Sequence, residues 1–161
     1  MRSADLRTLR ESLGLSIEWC TSNARKSDKP INNRTWRHWE AGRNQVPRDV
    51  SKWIAAIAGK VDMIVAQGVQ FISDRKPAKV VLVRYRTDED LWRFRSDMHG
   101  FPTTYHAAIL SRIRCDLWKL GISSVVEYLE PKQYLEWLSD REDTEELRIT
   151  WAQDQAIDDD E

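Results

Sequence analysis

Residues 32–43, NNRTWRHWEAGR, decide the fold of this chain. On a helix, one side would hold three residues at positions i, i+3 and i+4: Trp36, Trp39 and Glu40. The opposite side would be cationic: Arg34, Arg37 and His38. Gly42 supplies the helix stop, because a residue without Cβ enters the left-handed conformation at little cost. The pattern predicts a short helix from Asn32 to Ala41 with an anchoring aromatic face and a donor-rich cationic face.

Positive charge is concentrated around this stretch. Residues 1–52 carry 11 Lys and Arg against 6 Asp and Glu, whereas residues 140–161 carry 2 against 10. The net charge of −1 for the whole chain hides this asymmetry. A locally basic helix is typical of proteins that bind nucleic acid. The tail from Asp158 is acidic, and we expect it to be solvated and frayed.

Composition argues against a membrane or secreted protein. No apolar run approaches the ~20 residues that a helix needs to span a bilayer. The N-terminal residues lack the apolar segment of a signal peptide. Cys20 and Cys115 show neither a metal spacing nor a redox motif. We therefore expect a cytoplasmic protein with reduced thiols, without a metal or other cofactor.

Candidate catalytic and metal-binding residues are weak. Cys115 has basic neighbours in Arg112 and Arg114 but no base paired with it. His99 and His106 lie seven residues apart, a poor spacing for one metal ion, and are interpreted as core or surface histidines. Three serines lack the context of a nucleophile elbow: Ser111, Ser123 and Ser124. An enzyme is the least supported class.

The chain is predicted to have a helical part and a mixed part. Residues 1–73 hold four helices, of which the last is long enough to leave the first domain. Residues 74–161 follow the order strand, helix, helix, strand, helix and end in the acidic tail. The strands, at 80–85 and 122–129, are apolar and β-branched. A lone two-stranded sheet is marginal in water, so pairing with a second copy is the structural expectation.

Two motifs carry a resemblance to known regulators. LRESLGLSIEW (9–19) with NRTWRHWEAGRNQVP (33–47) resembles the helix-turn-helix of the Cro/C1 (Xre-like) phage repressors, over about residues 4–55. The double-Trp form WxxWEAGR followed by Val-Pro is similar to YdiL-like proteins and the anti-CRISPR-associated (Aca) autoregulators. The resemblance implies a mainly α chain. Its parts would be a lambda-repressor-like helix-turn-helix domain at 1–73 and a small α+β dimerisation domain at 74–161.

The resemblance also implies roles for individual residues. Base reading is expected from four residues of the third helix: Asn33, Arg34, Arg37 and His38. Arginine can fork onto O6 and N7 of guanine, and asparagine can read adenine bidentately. Contacts to the DNA backbone are expected from four more: Ser16, Arg43, Asn44 and Arg48. Two residues would serve as structural anchors in the core: Trp36 and Trp39.

The chain departs from that pattern in two places. The turn at residues 25–31 is longer than usual by about five residues, which leaves the angle between the second and third helices open. Ile17 stands where many relatives have a Gln that bonds to the DNA backbone, so Ser16 or Arg43 would take that contact. The alternative to base reading is that Arg34 and Arg37 simply form a solvated face of the helix.

The function predicted from the sequence is a sequence-specific DNA-binding regulator. We expect a homodimeric repressor of its own operon that binds a palindromic operator in double-stranded DNA. The alternative is an antitoxin-like module that binds a partner protein through residues 74–161. RNA is a third possible partner, although the major groove of A-form RNA excludes helices.

Overall fold

The computed structural model describes residues 1–24, 31–75, 77 and 79–158. Within them the chain is mainly helical with one small two-stranded sheet, which confirms the predicted fold class. Two compact units are present, Met1–Val65 and Ala66–Glu161. The assignment of 1–73 to DNA binding and 74–161 to dimerisation stays a prediction. Most of the predicted long turn, residues 25–30, lies outside the described residues.

Side-chain caps fix where the short helices of the first unit begin. They are α1 (Ser3–Ser12), α2 (Ile17–Asn23) and α3 (Asn33–Glu40). The Ser16 hydroxyl accepts the Trp19 N–H at 3.0 Å, and Asn32 Oδ1 accepts the Thr35 N–H at 2.8 Å. The predicted cap Ser3 is instead the first helical residue, because the Arg2 N–H donates to the Asp5 carboxylate at 3.0 Å.

The fourth helix, α4 (Arg48–Arg75), runs from the first unit into the second. Its buried residues form one stripe at helical spacing: Val50, Ile54, Ile57, Val61 and Val65. By length and composition α4 is able to cross a membrane, with a mean hydropathy of 1.3 over its most apolar stretch, contrary to the expectation that no run is long enough. Length and hydropathy alone are weak evidence for a membrane span, because the core helix of a soluble protein can have the same properties.

The second unit is built on a parallel strand pair. Strand β1 (Lys79–Arg84) pairs with β2 (Ser123–Tyr128), with Val81 opposite Val125. Between them lie α5 (Asp88–Phe94), a 3₁₀ turn and α6 (Thr103–Lys119); α7 (Pro131–Leu138) and α8 (Glu145–Asp158) follow. Parallel strands need such a crossover, because a tight hairpin cannot join them. The predicted strands and intervening helices are therefore present, with ends shifted by a residue or two.

The last helix, α8, is absent from the predicted order of elements. The acidic tail predicted from Asp158 lies, apart from Asp158 itself, outside the described residues. Residues 145–158 form α8, which packs against β1 and buries Trp151, Ala152 and Arg148. Arg148 forms an ion pair with Asp143, whose carboxylate also accepts the Tyr134 hydroxyl at 2.6 Å. The charge of this segment is thus compatible with a core helix, because one of its carboxylates binds a buried arginine.

Candidate nucleic-acid interface

Four tryptophans hold α3 in the first unit. Trp36 and Trp39 are buried, as their spacing on the helix predicts, and their ring centroids lie 5.7 Å apart. Trp36 also meets Trp53 of α4 edge to face at 6.3 Å, and Trp53 stacks on Trp19 of α2 at 5.9 Å. Aromatic pairs at such distances contribute about 0.5–1.5 kcal/mol each beyond the area that they bury. The cluster therefore fixes α3 to both α2 and α4.

A buried ion pair ties α3 to α1. Arg10 donates from Nε to Glu40 Oε1 at 2.6 Å and from Nη2 to Oε2 at 3.1 Å. Its Nη1 donates to the Leu15 carbonyl at 2.9 Å, and Trp36 Nε1 donates to Glu40 Oε1 at 2.7 Å. The hydrogen bond that Arg10 donates to Glu40 raises the pKa of Arg10, which stays charged at every pH of interest. The Glu40 carboxylate thus ties α3 to α1, and Arg10 extends the link to the Leu15 carbonyl.

The pairing of Arg10 with Glu40 was not predicted from the sequence, although the sequence contains a signal for it. Glu40 lies on the same side of α3 as two buried tryptophans, and a carboxylate on an apolar face needs a partner. Arg10 follows Leu6 by four residues and precedes Leu13 by three, so it shares their buried face. The sequence therefore places one charged residue on the apolar side of α1 and one on the apolar side of α3, which indicates that the two form an ion pair.

The cationic face of α3 points to solvent. Arg34 and Arg37 are exposed, and His38 is half-buried. Within the part of the chain that the structure describes, Arg37 forms a long ion pair with Glu18, with Nη2 3.9 Å from Oε1 and both side chains more than half exposed. An ion pair of that length in water is weak, so a phosphate or a base can replace it. These three residues can therefore reach a ligand without rearrangement of the core.

Asn33 is engaged between two helices. Its Oδ1 accepts the Thr21 hydroxyl at 2.8 Å, and its Nδ2 donates to Glu18 Oε1 at 3.1 Å. Both partners belong to α2, so the Asn33 amide links α2 to α3. Its predicted role in reading adenine stays a prediction, and that role would require it to exchange these two hydrogen bonds.

The four residues predicted to hold phosphates lie in exposed positions at helix ends. They are Ser16, Arg43, Asn44 and Arg48. Gly42 has a φ of +70°, as expected of a helix stop, and the Arg43 and Asn44 N–H groups both donate to the His38 carbonyl at 2.9 and 3.3 Å. The segment after α3 is thereby folded back on its last turn. The Ser16 hydroxyl accepts a backbone N–H as a cap, and a hydroxyl can donate its own proton as well.

The histidines and thiols show no clustering for metal binding. Among the described residues, no three His, Cys, Asp or Glu side chains come together as a metal site. Cys20 is buried in α2, and that burial raises its pKa to about 12. It is therefore a neutral core thiol at physiological pH.

The first unit thus carries a short helix, α3, whose cationic face is exposed and whose aromatic face is buried in the core. The profile of the Aca2/YdiL-like family matches residues 1–114 of the 161, and the chain belongs to that family. Membership indicates a regulator of the Aca type. Comparison with curated proteins gave no significant match. The match ends within α6, so β2, α7 and α8 lie beyond it.

Proposed function

We propose that the protein is a sequence-specific DNA-binding transcriptional regulator without enzymatic activity, acting as a homodimeric repressor. The observation that carries the proposal is the exposed cationic face of α3, directly opposite its buried tryptophans. A helix held in this way can enter the major groove of B-DNA, which is wide enough to admit it. Membership of the Aca2/YdiL-like family supports a regulatory role.

Base reading is assigned chiefly to Arg34, Arg37 and His38. The two arginines can each fork onto guanine, which discriminates by about 1–3 kcal/mol per base pair. Asn33 comes second, because its amide already bonds to Thr21 and Glu18. The basic composition of residues 1–52 favours approach to the duplex independently of sequence.

Phosphate contacts are assigned to the four exposed residues at the helix ends: Ser16, Arg43, Asn44 and Arg48. Such contacts fix the register of the protein on DNA and carry no sequence information themselves. Ile17 is half-buried at the first position of α2 and offers no polar group, so Ser16 beside it takes the contact.

Homodimerisation would increase both the affinity for DNA and the number of base pairs that are read. One recognition helix reads only a few base pairs, whereas two-fold pairing yields a palindromic operator with half-sites about 34–36 Å apart. Repression of its own operon in the cytoplasm is proposed from the family alone.

Selection of bound sequences from random DNA, followed by a double variant, tests the proposal. Arg34→Ala with Arg37→Ala should weaken binding to the selected operator by about 30-fold or more, since the removal of each arginine–guanine pairing costs at least about 1 kcal/mol. Fluorescence anisotropy at fixed salt would measure it. The matched control is Arg2→Ala with Arg7→Ala, which removes two exposed arginines at the start of the chain. If the α3 double variant binds as tightly as this control, α3 is not the recognition helix.

A second candidate is an antitoxin-like role, in which residues 74–161 bind another protein. The sheet of only two strands, with β2 half-exposed, favours a partner of some kind. This candidate predicts that the purified chain sediments as a monomer up to high concentration. A stable homodimer in sedimentation velocity would count against it.

A further inference from the structure

An acidic side chain lies against the cationic face of α3. Glu18 belongs to the first turn of α2, and its side chain is 62% exposed. Its Oε1 lies 3.9 Å from Nη2 of Arg37 and accepts a hydrogen bond from Nδ2 of Asn33 at 3.1 Å. One exposed carboxylate therefore contacts two of the four residues that are expected to read bases.

A hydrogen-bond network holds this carboxylate beside α3. The Thr21 hydroxyl, one turn after Glu18 on α2, donates to Asn33 Oδ1 at 2.8 Å. The Asn33 amide is therefore bonded at both ends, with its oxygen towards Thr21 and its nitrogen towards Glu18. Because only one orientation of the amide satisfies both bonds, Glu18 stays next to the first turn of α3.

The two exposed arginines of α3 differ in their contact with this carboxylate. Among the described residues, Arg37 forms an ion pair with Glu18, whereas Arg34 forms none. Taken together, Glu18 and Arg37 carry no net charge, so the pair adds little to the attraction between this surface and DNA phosphates, which depends on charge. The same face of α3 thus presents one arginine that is neutralised and one that is not.

A carboxylate at this position distinguishes phosphates from base edges. An ionised carboxylate and a phosphate oxygen both accept hydrogen bonds and carry negative charge, so they repel each other. The major-groove edges of cytosine and adenine instead carry amino groups, which donate to a carboxylate. Guanine is neutral, and an arginine reads it through the placement of its N–H groups, of which it has several. Arg37 can therefore fork onto a guanine and keep its contact with Glu18.

We propose that Glu18 is a specificity-determining residue, which weakens the binding of non-specific DNA more than that of the operator. On non-specific DNA, Arg37 is neutralised by Glu18 and gains little from a nearby phosphate. At the operator, the same arginine reads a guanine, for which no net charge is needed. This inference rests on the proposed function, in which α3 enters the major groove, and it adds a residue of α2 to the surface that selects the sequence.

Glu18→Gln tests this role, because glutamine has the same length and can still accept the Asn33 N–H but carries no charge. Arg37 becomes free to bind a phosphate, and each added phosphate contact makes the affinity vary with about the −0.9 power of the salt concentration. A random duplex should therefore bind about fivefold more tightly at about 0.15 M salt. The operator obtained by selection should bind within about twofold of wild type, so the specificity ratio falls. Fluorescence anisotropy with both duplexes measures this ratio.

Asp62→Asn is the matched control. It removes one carboxylate from an exposed position of α4, nine residues after Trp53. At about 1.5 Å per residue, Asp62 lies about 13.5 Å along the helix from that tryptophan, which is more than the Debye length of about 8 Å at this salt concentration. Both dissociation constants should stay within about twofold of wild type. Circular dichroism checks the fold of both variants.

A double-mutant cycle on random DNA shows whether Glu18 acts through Arg37. With Arg37→Ala already present, Glu18→Gln should change the affinity by less than about twofold, because no neutralised arginine remains to be released. With Arg34→Ala present, it should still tighten binding about fivefold. A gain that persists in full without Arg37 would mean that the carboxylate acts only through the net charge, and the inference would be overturned.

The outcomes separate this inference from the proposed function. If wild type selects an operator but Glu18→Gln tightens the binding of both duplexes equally, or of neither, the inference is overturned while the regulator proposal stands. If wild type selects no sequence at all, the proposed function fails and the inference fails with it. A lower specificity ratio in Glu18→Gln, with an unchanged ratio in Asp62→Asn, supports both.

Discussion

At the scale of single residues, the carboxylate of Glu40 decides where α3 lies. It accepts hydrogen bonds from Arg10 and Trp36, and Arg10 in turn bonds to the Leu15 carbonyl. Removing two charges from water is costly, so such a pair contributes little net stability. The pair instead determines the position of α3, because only one placement of this helix satisfies the hydrogen bonds of Glu40, Arg10 and Trp36 together.

Breaking the pair on one side should be strongly destabilising. Glu40→Gln leaves the buried Arg10 with only a longer ion pair to the half-exposed Glu11, at 3.3 Å, and we expect the free energy of unfolding to fall by about 3 kcal/mol. Urea denaturation followed by tryptophan fluorescence would measure this loss. Replacing both partners, Arg10→Met with Glu40→Leu, should recover most of it, because apolar residues of similar volume need no partner.

Arg7→Ala is the matched control for this pair. Arg7 bonds to Glu11 at 2.8 Å on the same helix, but both side chains are at least half exposed. We expect no measurable change in the denaturation midpoint. A Glu40→Gln protein as stable as Arg7→Ala would show that the buried pair does not position α3.

The residues of the site could be predicted from sequence only as far as helical periodicity reaches. The periodicity of residues 32–43 places Trp36 and Trp39 inside and Arg34 and Arg37 outside, as observed. The engagement of Asn33 could not be predicted, because its partners belong to α2 on the far side of a long connection. Periodicity within one helix carries no information about such partners.

At the scale of elements, α8 changes the interpretation of the C-terminal end. Its buried residues, Arg148, Trp151 and Ala152, stand at i, i+3 and i+4, which is a helical period. That period was obscured by the carboxylates that precede it. The predicted order of elements ended at α7, although the spacing of these three residues was a signal for a further helix.

Trp151 is the residue through which α8 should stabilise the second unit. It is 2% exposed, so Trp151→Ala removes a large buried side chain, and we expect a loss of about 3–5 kcal/mol in the free energy of unfolding. Chemical denaturation followed by circular dichroism would measure it. Gln153→Ala, at an exposed position of the same helix, should stay within about 0.5 kcal/mol of wild type. Equal stability of the two variants would contradict a packed α8.

At the scale of the whole molecule, one buried histidine makes the free energy of unfolding depend on pH. Burial, together with the nearby charges of Arg95 and Arg84 and against that of Asp97, lowers the pKa of His106 to about 4. The folded state therefore binds this proton less readily than the unfolded state, in which histidine has a pKa of about 6.5. Stability is full above about pH 6.5 and falls as the pH drops towards 4.

The loss between these two pH values should reach roughly 3 kcal/mol for this single group. Urea denaturation at a series of pH values would show this loss as a slope in a plot of the free energy of unfolding against pH. His106→Gln should flatten that slope, although it lowers the stability at neutral pH. The matched control His99→Gln changes an exposed histidine and should keep the wild-type slope. A slope unchanged in His106→Gln would assign the acid sensitivity to other groups.

The parallel pairing of β1 and β2 also has a consequence for synthesis of the chain on the ribosome. Lys79 pairs with Ser123, so β1 has no strand to pair with until 44 more residues have been added. At about 5–20 residues per second this interval lasts roughly 2–9 s. By then residues 1–65, which form a compact unit, have been synthesised. Three apolar residues of β1, which are buried in the folded chain, are still exposed to solvent: Val80, Val81 and Leu82. The nascent chain therefore passes through a period in which its N-terminal unit can fold but an apolar strand is open to aggregation.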